Sequence, residues 1–232
     1  MPSSARMFEV LKHMEAAGSG DWSPVHARFR AAAIDVARCE NLGRARFNFA
    51  ILPLDRPASD VLHAGGEAFH APRMLPPSGE LTALAFGVCT LGHGIERRVS
   101  ALFAQRRVSL ALALDALGNQ MLMEALRRLQ DRILAEVRRR GLDMAGELRA
   151  GDPGLALEAQ PAVLRLAGAS QIGVRLTGTL ALDPLKSASV VFGVGRNLPP
   201  AHWSRCDDCR SRAKCRHHAR QSALASQAGG GG

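Results

Sequence analysis

Cys206, Cys209 and Cys215 stand at C-x2-C-x5-C spacing in the basic stretch WSRCDDCRSRAKCRHHAR, with His217 and His218 close behind. Two cysteines two residues apart bring both thiolates to one metal because the turn between them folds back, and a third from a short loop completes a face. Zinc closed by histidine and an iron–sulfur cluster held by three or four thiolates both fit this set, with Cys89, Cys39 or a histidine as a fourth ligand. The competing reading is three free thiols beside Arg205, Arg210 and Lys214. Five cysteines in all, an odd number with three clustered, argue against a disulfide framework and for a reducing compartment.

Two further groups have chemical interest. Cys89-Thr90-Leu91-Gly92-His93-Gly94 follows the apolar run Leu84 to Val88 and precedes a helical pattern. Such a turn offers backbone N–H groups to an anion, or is a plain strand-to-helix turn with Cys89 as a small core residue. Asp115 and Asn119 lie one turn apart on an otherwise apolar face. They either project together into a cleft or reflect an early-turn acid, with Gly118 allowing close packing.

These groups hang on a simple framework. Leu110, Leu114, Leu117, Met121, Leu122, Ala125, Leu126, Leu129, Ile133 and Val137 recur at three- and four-residue steps, so a long amphipathic helix ends near Gly141. Its polar face carries Glu124 with Arg128, Arg127 with Asp131, and Arg132 with Glu136 at helical spacing. Helices are also expected over Met7 to Ala17, Val25 to Cys39 and Leu155 to Ala167. Arg44 to Leu54 reads as a strand, and Val61 to Phe69 as a strand or hairpin around Gly65-Gly66. Ile172 to Leu182 and Ala188 to Val194 read as an antiparallel hairpin through Asp183 to Ser187.

At 232 residues, with 47% hydrophobic and 22% charged, the chain can bury a sizeable core. No apolar run approaches the length of a membrane span and the N-terminus has no signal-peptide core, so a cytoplasmic location without membrane contact is expected. The formal charge of +9 suits an acidic protein or a phosphate-bearing cofactor. Nucleic acid is the weaker partner, since the chain has no tyrosine and only 4% aromatics. The expected organisation is a helical segment over 1–40, an α/β body over 41–198, the cysteine-rich segment 199–220, and a tail over 221–232 that ends in four glycines.

Several pieces resemble, in their order, the activation or reactivation domain of vitamin B12-dependent methionine synthase. They are Val88-Cys89-Thr90-Leu91-Gly92 with Ile95-Glu96-Arg97-Arg98-Val99, the Leu112 to Ile133 helix, the Arg149 loop, Val174-Arg175-Leu176-Thr177, and Pro184-Leu185-Lys186-Ser187-Ala188-Ser189-Val190 before Gly193. The match spans about residues 60–195, and the cysteine tail points to small stand-alone relatives of that domain.

The resemblance implies an α+β fold with a bent, mainly antiparallel sheet flanked by helices. It implies an accessory protein that docks on a cobalamin-binding protein or module, with a redox activator, and binds S-adenosylmethionine for reductive reactivation of the cobalamin its partner carries. By the same resemblance Arg149 matches the loop arginine associated with S-adenosylmethionine. Ala150, Gly151 and Asp152 lie where backbone contacts fall, and Asp143 stands at the family's acidic position. The chain departs from the family in having Gly151-Asp152-Pro153-Gly154 in place of a Pro-Gly-Tyr turn, and Gly178 in place of an acidic residue. Cobalt does the chemistry in such a system, so no catalytic acid, base or nucleophile is expected here. The other reading of the residues is a metal- or iron–sulfur-binding interaction protein that does not bind S-adenosylmethionine.

Overall fold

The structure, a computed structural model, describes residues 6–16 and 23–199. Its centre is a five-stranded antiparallel sheet in the order β1 (Arg6–Glu9), β2 (Arg44–Pro53), β5 (Glu80–Thr90), β9 (Ser187–Arg196) and β6 (Asp143–Leu148). β5 and β9 lie in the middle and are buried almost from end to end, because both of their faces are covered. This explains why their sequences read as continuous apolar runs without alternation. The observed class is the α+β arrangement, helices over an antiparallel sheet, that the family resemblance implies.

One face carries α2 (Pro24–Cys39), α3 (Gly94–Ala104) and α4 (Val108–Arg139). The predicted face of α4 is the buried one: Leu114, Met121, Leu129, Ile133 and Val137 pack with Ala85 and Val190 of the sheet and with Ala33 and Ala37 of α2. Truncating one of these, Leu129→Ala for example, removes about 2–5 kcal/mol. The polar face is laced at two places, where Glu124 meets Arg127 and Arg128, and Glu136 meets Arg139 and Arg140.

The opposite face is covered by a hairpin of β3 (Val61–Ala64) and β4 (Glu67–His70), a short 3-10 turn at Pro72–Met74, and α5 (Gln160–Ala167). Phe69 of the hairpin meets Phe86 of β5 with ring centroids 5.4 Å apart, which docks the hairpin on the sheet. No helix among the described residues is long and apolar enough to cross a membrane.

Two expectations are corrected. Residues Arg6–Glu9 are an edge strand rather than the start of a helix, and α1 begins only at Leu11 (Leu11–Ala16). Phe8 packs on Phe47 of β2, and the Glu9 carboxylate accepts from Leu11 N–H at 3.0 Å, so the side chain marks the switch from strand to helix. The segment Ile172 to Leu182 does not pair with β9. It holds only β7 (Arg175–Leu176), which pairs with β8 (Leu182–Asp183), after a 3-10 turn over Ala169–Ile172. Both edges of β9 are already taken by β5 and β6, so the alternating pattern finds no strand to extend it.

Candidate functional site

The site is built where β6 ends. Leu148 lies opposite Val191 of β9, and beyond it the chain closes into a tight turn. Asp152 N–H donates to the Arg149 carbonyl at 2.9 Å, Leu155 N–H to the Asp152 carbonyl at 3.1 Å, and Gly151 N–H to the Leu155 carbonyl at 2.9 Å. Gly154 has φ +102, and a Cβ there would lie 2.9 Å from Arg73 Cδ, so both backbone and packing call for glycine.

Arg149 is not an ordinary surface arginine. Its side chain is 15% exposed and its Nη2 meets Glu147 Oε1 at 3.0 Å, with Glu147 itself 22% exposed. The guanidinium also acts on Cys89, the fully buried thiol that pairs with Ala188 in the sheet. Burial pushes that thiol up to about 12, against the opposing pull of the Arg149 charge and a backbone hydrogen bond at Ala188. Cys89 is therefore a neutral core residue at physiological pH, neither nucleophile nor ready ligand.

In front of the turn lies a groove of about 850 Å³. One wall is Gly151 to Ala159 with Ala162, and the other is Glu67 to His70 with Pro72. The floor is apolar, from Phe69 and Leu155, while Glu67, Asp152 and Glu158 supply carboxylates against a single imidazole, His70. Glu67 is paired with Arg165. Asp152 Oδ2 is buried and has no hydrogen-bond partner among the described residues. A buried carboxylate oxygen in that state is uncommon in a folded protein.

The Pro184 connection stands at the same end of the sheet, because β9 begins where β6 finishes. Its Lys186 is held on all sides. The ammonium lies 2.7 Å from Asp115 Oδ1 and 2.7 Å from Asn119 Oδ1, and the backbone N–H donates to Glu96 Oε1 at 3.1 Å. The backbone carbonyl accepts from Leu91 N–H at 2.9 Å. Next along, Ser187 Oγ donates to Thr90 Oγ1 at 2.8 Å, and Gln160 Nε2 at the head of α5 donates to Ser189 Oγ at 2.8 Å. Asp115 and Asn119 thus meet as the sequence spacing allows, but around a lysine of this chain rather than in an open cleft. Gly118 between them admits Ile95, whose Cγ2 lies 3.0 Å from where a Cβ would stand.

No protein-family model and no curated protein matches the sequence. Among solved structures, the chain is similar to one described as the crystal structure of the MetH reactivation domain bound to AdoHcy. The TM-score is 0.61 at 15% identity, covering 94% of this chain and 86% of that one. The fold is that of the MetH reactivation domain.

On this reactivation-domain fold the residues singled out from the sequence divide into three groups. Gly151 and Asp152 line the groove, and Ala150 joins them to Arg149, which braces the turn from behind. Asp143 does not line this groove. It begins β6 opposite Gly195, and its Oδ2 accepts from Leu198 N–H at 3.2 Å. At about 3.3 Å per residue the strand carries it roughly 15–20 Å from Arg149. Cys206, Cys209 and Cys215 lie outside the described residues. Among those described, no group of three or more His, Cys, Asp or Glu residues is placed to hold a metal. Sequence reasoning missed Phe69, His70 and Glu158 because the groove joins segments far apart in the chain. A hairpin signal at Gly65-Gly66 says that the strands pair, not what they cover.

Proposed function

We propose that this chain is a reactivation module for a cobalamin-dependent methyltransferase of the methionine synthase type. It docks on a corrinoid-carrying protein or module and presents S-adenosylmethionine to the cobalamin held there. The observation that carries this reading is the fold likeness, spread over 94% of the chain, to a reactivation domain whose crystal structure contains AdoHcy.

The groove beside the Arg149 turn supports it. Its volume of about 850 Å³ falls in the range of about 300–1,000 Å³ usual for small-molecule sites. S-adenosylmethionine carries a sulfonium and an ammonium, and the carboxylates of Asp152 and Glu158 suit both. Asp152 lines the groove, and its carboxylate accepts from the ligand's ammonium or hydroxyl groups. The Gly151 turn lets backbone approach, Phe69 and Leu155 cover apolar surface, and Arg149, at the entrance to the turn, is held by Glu147. The bound ligand supplies a methyl group activated on sulfur for the partner's reduced cobalt. This chain's part is to bind, orient and shield.

The reading extends to the cysteine tail, which belongs to a metal or iron–sulfur centre serving the reduction. Docking is tested by size-exclusion chromatography of the chain with the isolated cobalamin-binding module of a methionine synthase, followed at the cobalamin absorption bands. Co-elution that strengthens with S-adenosylmethionine is expected. Separate elution of the two proteins under all conditions would overturn the proposal.

A further inference from the structure

The groove beside the Arg149 turn is acidic on its own lining. Glu67, Asp152 and Glu158 line it and no lysine or arginine does. Glu67 is paired with Arg165, but Glu158 is exposed and forms no ion pair among the described residues. The same lining shows apolar surface, since Leu157 is 42% exposed there.

The described chain ends on the same side of the sheet. After β9, Leu198 is buried in one cluster with Phe69, Met74, Leu148 and Leu155. Its N–H donates to Asp143 Oδ2 at 3.2 Å, at the end of β6 away from the Arg149 turn. The 3-10 turn Pro72–Met74 lies between the two places, because Met74 packs against Gly193 of β9 while Pro72 lines the groove. β6 covers roughly 15–20 Å from one to the other, and an extended chain advances about 3.3–3.6 Å per residue, so about five or six residues cross the gap.

The sequence places suitable residues at that distance. Trp203 is the fifth residue after Leu198 and Arg205 the seventh, and the stretch 201–220 holds six arginines and lysines against two aspartates. A basic segment tethered within reach of an acidic, partly apolar groove meets it at an effective concentration of about millimolar, so a weak contact suffices to fill the groove. Opposite charge then selects this face over the basic surfaces of the chain.

We infer that the C-terminal segment from Trp203 to Arg220 docks in the groove beside the Arg149 turn when no S-adenosyl ligand is bound. Its cations meet Asp152 and Glu158, Trp203 covers Leu157, and segment and ligand compete for the groove. As regulation of that groove the inference rests on the S-adenosyl reading above, whereas the docking of the segment stands apart from it.

The chain has three lysines, Lys12, Lys186 and Lys214, so Lys214 alone reports on this segment. Zero-length carbodiimide cross-linking of the intact chain, read by peptide mass spectrometry on the monomer, is expected to join Lys214 to Glu67, Asp152 or Glu158, in a yield that falls as salt rises. A full-length variant carrying Arg205→Gln, Arg210→Gln, Arg212→Gln and Arg216→Gln keeps Lys214 and should lose the cross-link. It should also bind S-adenosylhomocysteine about tenfold more tightly in titration calorimetry. Lys214 joined to none of the three carboxylates, or joined to them only in dimers, would overturn the inference, the second result assigning the segment to another copy of the chain. Ligand bound equally well by both proteins would overturn it too. Should neither protein bind the ligand, the S-adenosyl reading falls and the cross-link still decides the docking.

Discussion

The Lys186 ammonium lies 2.7 Å from Asp115 Oδ1 on α4 while its own chain starts β9, so one side chain ties the helical layer to the sheet end that carries the site. Lys186 is 12% exposed and Asp115 44% exposed, which makes the pair stronger than a free surface bridge and weaker than a buried one. Lys186→Met and Asp115→Ala are each expected to lower stability by about 1–2 kcal/mol. The double variant should cost less than the sum, since both remove the same contact. Urea unfolding of the four proteins measures this, and strict additivity would show that the contact contributes nothing.

Cys89 supplies a pH test. Its thiol is raised in the folded chain from an ordinary value of 9.0 to about 12, so the folded state holds this proton more tightly than the unfolded one. The corresponding stability is fully present below pH about 9 and is lost as pH rises toward 12. Thermal denaturation across that window should show a steeper decline for the intact chain than for Cys89→Ala. In the native state at neutral pH, Cys89 should resist thiol reagents while the exposed Cys39 reacts.

Gly154 is expected to tolerate no side chain without effect on the groove. Gly154→Ala places a Cβ at φ +102 against Arg73 and should cost about 1–3 kcal/mol. It should also weaken ligand binding more than Gly66→Ala, which has positive φ but nothing within 4 Å of the added Cβ. Equal effects on ligand binding would detach the turn from the site.

The C-x2-C-x5-C spacing predicts a bound metal or cluster in protein purified without oxygen. Elemental analysis should find zinc or iron in the intact chain and lose it in Cys206→Ser with Cys209→Ser and Cys215→Ser. A metal-free intact chain would leave the three as thiols.

Much of the fold was legible because local pattern and tertiary burial agree. α4 buries the residues its periodicity selects, and the Gly65-Gly66 turn makes the hairpin its flanks predict. Where they disagree, sheet neighbours decide. Met7, Val10, Leu11 and Met14 have helical spacing, yet Phe8 pairs into the sheet edge beside Phe47. The alternation over Ile172 to Leu182 is as regular as that of a strand, yet β9, its expected partner, is already paired on both edges by β5 and β6. Gly151 and Asp152, which the family resemblance singles out, line the groove. The buried posture of Arg149 was not legible, since it depends on Glu147 across a bulge and on Cys89 from a different strand. Lys186 stood out only as part of the matched stretch Pro184 to Val190, whereas Asp115 and Asn119, the pair that receives it, were marked by their own spacing.

The central claim is that the groove beside the Arg149 turn takes an S-adenosyl ligand with the Asp152 carboxylate as an acceptor. Titration calorimetry of S-adenosylhomocysteine and S-adenosylmethionine into the intact chain and into Asp152→Ala tests it most directly. Saturable one-to-one binding by the intact chain, weakened about tenfold or more in the variant, is predicted. The absence of heat from either ligand, or affinities equal in the two proteins, would contradict it.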